Sequence, residues 1–296
     1  MNKQLLLILP LTAVLFSCSK LSEGVVKEID LPPHNPQIAA SLFVDSKDSG
    51  FAAIISETRG LYDTTNTGLL DSATLKLFKD GTLLYSWNSM SPSGTYDYDF
   101  GQQIGTIDGD LVFEISHPNH ETVSATQRFP EATDFEIELN YGAALYKGQA
   151  SDEIIVTLLD NPGINQHYLI NMSVHYRTSL AGQDTSKYYT LSPETANSSV
   201  NFIGPQRSLA SVSEEGIDRD IKISFATGIN SIDQAFLLEY RVSISTLSDD
   251  LYAFYKSYQA LNQGQGNPFA EPVILFSNMS NSIGSFGLST TTRKWK

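Results

Sequence analysis

The chain has 296 residues, of which 33 are acidic and 19 basic, giving a formal charge of −14. That surplus repels phosphate backbones and excludes nucleic acid as an expected partner. A single cysteine excludes a disulfide framework and a cysteine-based metal site. Ordinary hydrophobic cores must therefore hold the fold, in a chain long enough for two domains.

Met1, Asn2, Lys3 and Gln4 lead into a nearly unbroken apolar run from Leu5 to Phe16. One positive charge, about a dozen apolar residues and a small-residue exit have the layout of a secretory signal. The run falls short of the roughly 20 apolar residues a membrane span needs. Its exit, Leu15-Phe16-Ser17-Cys18, resembles a bacterial lipobox: a branched apolar residue, a tolerant position, a small residue, then cysteine. In such signals residues 1–17 are cut away and Cys18 is acylated as the new first residue. An ordinary secretory signal with an incidental cysteine is the alternative. One acyl chain holds only marginally, so the two or three chains of a lipoprotein cysteine are what make the anchor stable. The expectation is a water-soluble body carried on a short tether, residues 18–24.

The polar, then proline-rich stretch that follows contains "VVKEIDL" (25–31), which alternates well enough for a first strand. "QIAASLFV" and "GFAAIIS" are strand-like and separated by the turn chemistry of "DSKDSG". In "ATLKLFKDGTLLYSW" two alternating runs flank Asp80-Gly81, the pair a tight hairpin turn prefers. "DLVFEIS", "ETVSATQRF" and "DFEIELN" complete a set of short strands whose spacing predicts a β-sandwich over residues 25–140.

A second β domain, residues 141–296, restarts with "EIIVTLLDNPGINQHYLINMSVHYR", broken at Asn161-Pro162-Gly163. Residues 178–186 and 192–218 read as polar loops. "RDIKISF" and "FLLEYRVSIST" are further strands. Then the period changes: Leu251, Phe254, Tyr255, Tyr258 and Leu261 recur at helical steps, predicting one amphipathic helix near 248–263. Ser248 can cap it, Asp249 and Asp250 suit its positive end, and Gly264 can end it. Its tyrosine stripe is expected to pack on a sheet. The tail from Gly264 onward reads as closing strands.

Few motifs point to chemistry. His117-Pro118-Asn119-His120 has a chelating spacing, but Pro-Asn between two strands is turn chemistry and no third ligand is identifiable. "DYDFGQQ" and Asp108-Gly109-Asp110 lack the further elements of a kinase metal site or a calcium loop. No nucleophile elbow, phosphate-cradling glycine loop or placed carboxylate pair stands out. No catalytic, cofactor or metal site is expected; a hydrolase with an unrecognised site is the remote alternative. The open clue is aromatic. Tyr96, Tyr98 and Phe100 alternate along one strand and therefore share a face, either a stacking surface for sugar or peptide or half of a sandwich core.

Several stretches together resemble a known family: "KEIDLPPHNPQIAASLFVDS", the hairpin from Ala73 to Gly81, "FEISHPNHETVSATQRFP", the Tyr-rich helix followed by "GNPFAEP", and Ser277-Asn278-Met279 with the run from Asn281 to Gly287. The family is that of Bacteroidota outer-membrane lipoproteins known as a domain of unknown function (DUF4249). The resemblance implies a mainly β protein, an N-terminal Ig-like β-sandwich followed by a second β domain carrying the helix. It implies an outer-membrane location, with membrane lipid as a partner through acylated Cys18, and members often encoded near TonB-dependent receptors. It supplies no catalytic residues. Exported surface lipoproteins of that phylum usually show an acidic cluster just after the cysteine; Ser19-Lys20-Leu21-Ser22-Glu23 departs from this with one acid, so either face of the membrane is open, the outer one favoured. The expected function is a non-catalytic accessory to a TonB-dependent transporter in cargo capture or docking, with a stand-alone glycan- or peptide-binding lipoprotein as alternative.

Overall fold

The computed structural model describes residues 34–60, 68–159, 166–180, 183–198, 200–203, 209–213, 221–231, 237–264, 271 and 273–296. Cys18, the signal, the strand expected at 25–31 and Asn161-Pro162-Gly163 lie outside the described residues.

In the first half, β1 (Ile38–Asp45), β2 (Gly50–Glu57), β3 (Thr74–Lys79), β4 (Thr82–Trp87), β5 (Thr95–Asp99), β6 (Leu111–His117) and β7 (His120–Gln127) follow one another. The alternation in β1 buries Ile38, Ala40, Leu42 and Val44 and turns the residues between them outward, the period that a pleated strand imposes. The β3–β4 turn is Asp80-Gly81, both at positive φ (46° and 79°), as a tight hairpin of matching twist requires. His117 and His120 close the β6–β7 turn, where His117 Nδ1 accepts the Asn119 N–H (3.3 Å).

The second half runs through β8 (Phe135–Tyr146), β9 (Gln149–Leu158), β10 (His167–Leu180), β11 (Gln183–Thr190), β12 (Val200–Ile203), β13 (Leu209–Ser213), β14 (Ile221–Ala226) and β15 (Leu237–Leu247). The helix α1 (Asp249–Gly264) and the strand β16 (Ile283–Trp295) follow. Asn140, the boundary read from sequence, lies inside β8. Much of the two expected polar loops is instead strand: β10 runs on to Leu180, and β11, β12 and β13 follow. Strands with one solvated face carry polar residues at every second position, so short ones look like loops.

The chain is mainly β, with one helix among the described residues. Its largest sheet has the order β12-β13-β10-β15-β16-β1-β2-β5, with β11 also on β10. Every pairing in it is antiparallel except β1 with β16. Two smaller sheets, β4-β3-β6-β7 and β14-β9-β8, back the same face of it. Between the first pair of layers lie Leu42, Ile55, Tyr96, Leu77, Phe113 and Phe286. Between the second lie Tyr168, Ile170, Val242, Val156, Ile223 and Phe225. The even-numbered residues of β1, β10, β15 and β16 face these cores, so their odd-numbered residues form the opposite face.

On that opposite face lies α1. Leu251 packs against Leu169 and Leu247, with Phe43, Tyr252 and Tyr255 around them. Of the expected aromatic stripe, Phe254 and Tyr255 meet Phe43 of the sheet at 4.9 and 6.3 Å between ring centroids, whereas Tyr258 stays 41% exposed. Ser248 holds the cap position: its carbonyl accepts the Tyr252 N–H (3.0 Å), while its hydroxyl accepts the Leu288 N–H (3.3 Å) and so ties the helix start to β16.

Candidate binding surface

Tyr96 is wholly buried, its hydroxyl donating to the Leu70 carbonyl (2.8 Å) and accepting the Ala73 N–H (3.0 Å). Burial pushes its phenol above the ordinary pKa. Tyr98 and Phe100 are half-buried at the rim of the same core, in an aromatic cluster with Phe51, Tyr85 and Trp87 at centroid separations of 4.8–5.7 Å. Of the two alternatives open to this strand, Tyr96 takes the core.

Exposed aromatic surface lies elsewhere, on the odd-numbered face beyond α1. Tyr188 of β11 stands opposite His175 of β10, which stands opposite Glu239 of β15. In the adjacent row, Ser173 stands opposite Arg241, and Arg241 opposite Trp295 of β16. Two cross-strand rows thus place these six side chains side by side. The Tyr188 ring lies flat on the imidazole of His175, with centroids 4.2 Å apart and planes 4° apart. His175 is buried beneath it, its Nδ1 3.1 Å from Glu239 Oε2. The Arg241 guanidinium sits 5.7 Å from the Tyr188 centroid and 5.5 Å from that of Trp295, a cation held over two rings. Its Nε donates to Ser173 Oγ (3.1 Å). The two rings meet at 61° with centroids 6.2 Å apart. Tyr188 remains 55% and Trp295 47% exposed, so this ordered cluster leaves large aromatic faces in water.

A cavity of about 490 Å³ opens where β7, β15 and the start of α1 meet, lined among others by Arg128, Gln166, Asp249 and Asp250. Its polar groups tie these elements together. Gln127 and Asn278 both donate to Asp250 Oδ2, Arg128 pairs with Asp110 (2.7 Å), and Gln166 Oε1 accepts from Thr133 and Tyr168. No group of three or more His, Cys, Asp or Glu side chains suited to a metal ion occurs among the described residues. No helix among them is long and apolar enough to cross a membrane.

The family described as Domain of unknown function (DUF4249) matches residues 28–295, nearly the full chain. The chain belongs to the DUF4249 family. No curated protein matches it. Among solved structures, a mutant of Salmonella alpha-2-macroglobulin matches at 10% identity and a TM-score of 0.24. That match spans 92% of this chain but only 15% of the macroglobulin chain, and at so low a score it carries no argument. The C-terminal motif of this DUF4249 member closes the fold. Asn278 donates to Asp250 and to the Phe286 carbonyl and accepts the Phe286 N–H (2.9 Å). Ser277 Oγ accepts the Gly284 N–H (3.0 Å), and Ser282 Oγ donates to the Ile38 carbonyl (2.6 Å). Met279 is buried in the first core, and Gly287 leaves the space that Leu251 of α1 fills. "NPFA", residues 267–270, lies outside the described residues.

The sequence reading missed Tyr188, His175, Glu239, Arg241 and Trp295 as a site. Tyr188 lies between two stretches read as polar loops, and the other four are spread over three strands. The only local signals are two adjacent tyrosines and the aromatic-basic ending "RKWK".

Proposed function

We propose that the protein is a non-catalytic lipoprotein of the outer membrane, anchored through acylated Cys18, that serves a TonB-dependent transporter by docking on it or positioning its cargo. The order Leu15-Phe16-Ser17-Cys18 after an apolar run supports the anchor, and membership of the DUF4249 family agrees with the resemblance that suggested the transporter. The observation that carries the binding role is the Tyr188–Arg241–Trp295 surface, where two large rings are rigidly held yet half in water. Contiguous exposed aromatic surface of this kind marks interaction sites. Display on the cell-surface side is the favoured orientation.

Purification of the tagged protein from native membranes in mild detergent is the test. The reading expects a β-barrel receptor to co-elute. Recovery of the lipoprotein alone, under conditions that retain other receptor complexes, contradicts it. The same surface also supports a stand-alone binder of glycan or peptide, for which binding proceeds without any receptor.

A further inference from the structure

We infer that the exposed aromatic surface of Tyr188 and Trp295 is a subsite for a neutral pyranose sugar, stacked on that surface and hydrogen-bonded by Arg241 at its rim. The inference rests on the reading of the protein as a binder and names the class of ligand.

Three features of the site select that chemistry. The first is shape. A pyranose presents an apolar face of C–H bonds and a circumference of hydroxyls, and the exposed parts of two adjoining rings, Tyr188 and Trp295, offer flat apolar surface at one locus. The second is the rim. The Arg241 guanidinium is a planar donor that bonds Ser173 through Nε, and its terminal nitrogens make no hydrogen bond among the described residues. A planar fork of that kind suits a pair of vicinal hydroxyls. The third is rigidity. Tyr188 rests on His175, and Arg241 bridges both rings, so little side-chain entropy remains to be lost on binding.

The same features disfavour other ligands. A cationic group arriving at either ring is repelled by the Arg241 guanidinium that lies beside both. A polyanion meets Glu239 and a chain of formal charge −14. A peptide remains the principal competitor, since rings and an arginine also suit protein contacts. It is an outcome of the test.

The chain has two tryptophans, and they differ usefully: Trp87 is buried and Trp295 is 47% exposed. Emission from Trp295 therefore reports on the site, and the Trp87→Phe background isolates it. The full lipidated chain, held in a sugar-free polyoxyethylene detergent, is titrated with maltohexaose, cellohexaose and mannohexaose, and separately with a random hexapeptide pool. At least one hexasaccharide is expected to shift Trp295 emission saturably to the blue. In the Trp87→Phe background, Tyr188→Ala weakens that binding about tenfold while Tyr188→Phe keeps it within about twofold. Arg241→Lys weakens it by about fivefold, because a point charge replaces a planar fork. Circular dichroism of each variant checks that the sheet is intact; a variant that unfolds is replaced by Tyr188→Leu, which keeps bulk and loses the flat ring. The inference is overturned if no hexasaccharide shifts the emission, if Tyr188→Ala or Tyr188→Leu binds as wild type does, or if the hexapeptide pool alone is bound. Silence toward sugars with a receptor still co-eluting from native membranes removes only the sugar. Sugar binding with no receptor removes only the transporter.

Discussion

Gly284 is where the last strand meets the first, and its replacement tests that closure. It lies opposite Ala40 in the parallel β1–β16 pair, at φ +149°. A Cβ built there falls 1.8 Å from the Ala40 carbonyl oxygen and 2.8 Å from the Ala40 carbonyl carbon and nitrogen. Real Cβ contacts stay beyond 3.0 Å, so β1 and β16 must part by about 1.2 Å. A backbone hydrogen bond of about 2.9 Å stretched by that amount is broken. Two or three such bonds at roughly 1 kcal/mol each, with roughly 1–3 kcal/mol of strain for a side chain at a φ that glycine almost alone adopts, bring the loss for Gly284→Ala to about 4 kcal/mol. Gly148 supplies the control: its φ is +82°, but none of the described residues lies within 4 Å of its Cβ position. Gly148→Ala should therefore lose only the backbone component, about 1–2 kcal/mol. Equilibrium urea unfolding followed by far-ultraviolet circular dichroism measures both, and the midpoint temperature of Gly284→Ala should fall by about 10 °C. If the two variants differ by less than about 1 kcal/mol, the clash is absorbed by movement elsewhere and the closure is not what the geometry indicates.

Three other changes follow from buried polar groups. Asp152 is fully buried and accepts the Tyr240 hydroxyl (2.7 Å) and the N–H groups of Gly142 and Ser231. Asp152→Ala strands all three donors and should cost about 3–5 kcal/mol in urea unfolding; Asp152→Asn keeps an acceptor and should cost less, and equal losses would discredit the account. Ser285 Oγ is buried with no hydrogen-bond partner among the described residues, so Ser285→Ala should be neutral or stabilise by up to about 1 kcal/mol; a clear destabilisation would contradict this. Burial raises the phenols of Tyr96, Tyr176 and Tyr255, and burial together with the Asp152 carboxylate raises Tyr240. A group whose folded pKa lies above its unfolded value stabilises fully below the latter, so stability should hold below the ordinary pKa of 10.0 and fall as pH rises past it. Urea midpoints between roughly pH 9 and 11 check this, and a flat profile would contradict it.

The fold was legible where a local signal suffices. Alternation marks β1, β6 and β14, Asp80-Gly81 marks its hairpin, and three- and four-residue steps mark α1. What stayed hidden depends on long-range pairing. β1 and β16 pair in parallel from opposite ends of the chain, and no local pattern announces such a partner. β11 was obscured because the Tyr188 segment is largely polar and gains its place only by pairing with β10. The candidate site is hidden for the same reason: its side chains become neighbours only through the β10–β11, β10–β15 and β15–β16 registers. Tyr96, Tyr98 and Phe100 were visible as one face of a strand, but alternation does not say whether that face meets solvent or a second sheet. Here the sheet β4-β3-β6-β7 packs against it.

All of the proposed biology begins at one sulfur atom, and intact-mass spectrometry of the protein from its native membrane addresses it directly. The account predicts a chain starting at Cys18 and heavier than its residues by a diacylglyceryl group, with or without a third acyl chain. A bare thiol, or a chain that still carries Met1 to Ser17, would contradict it.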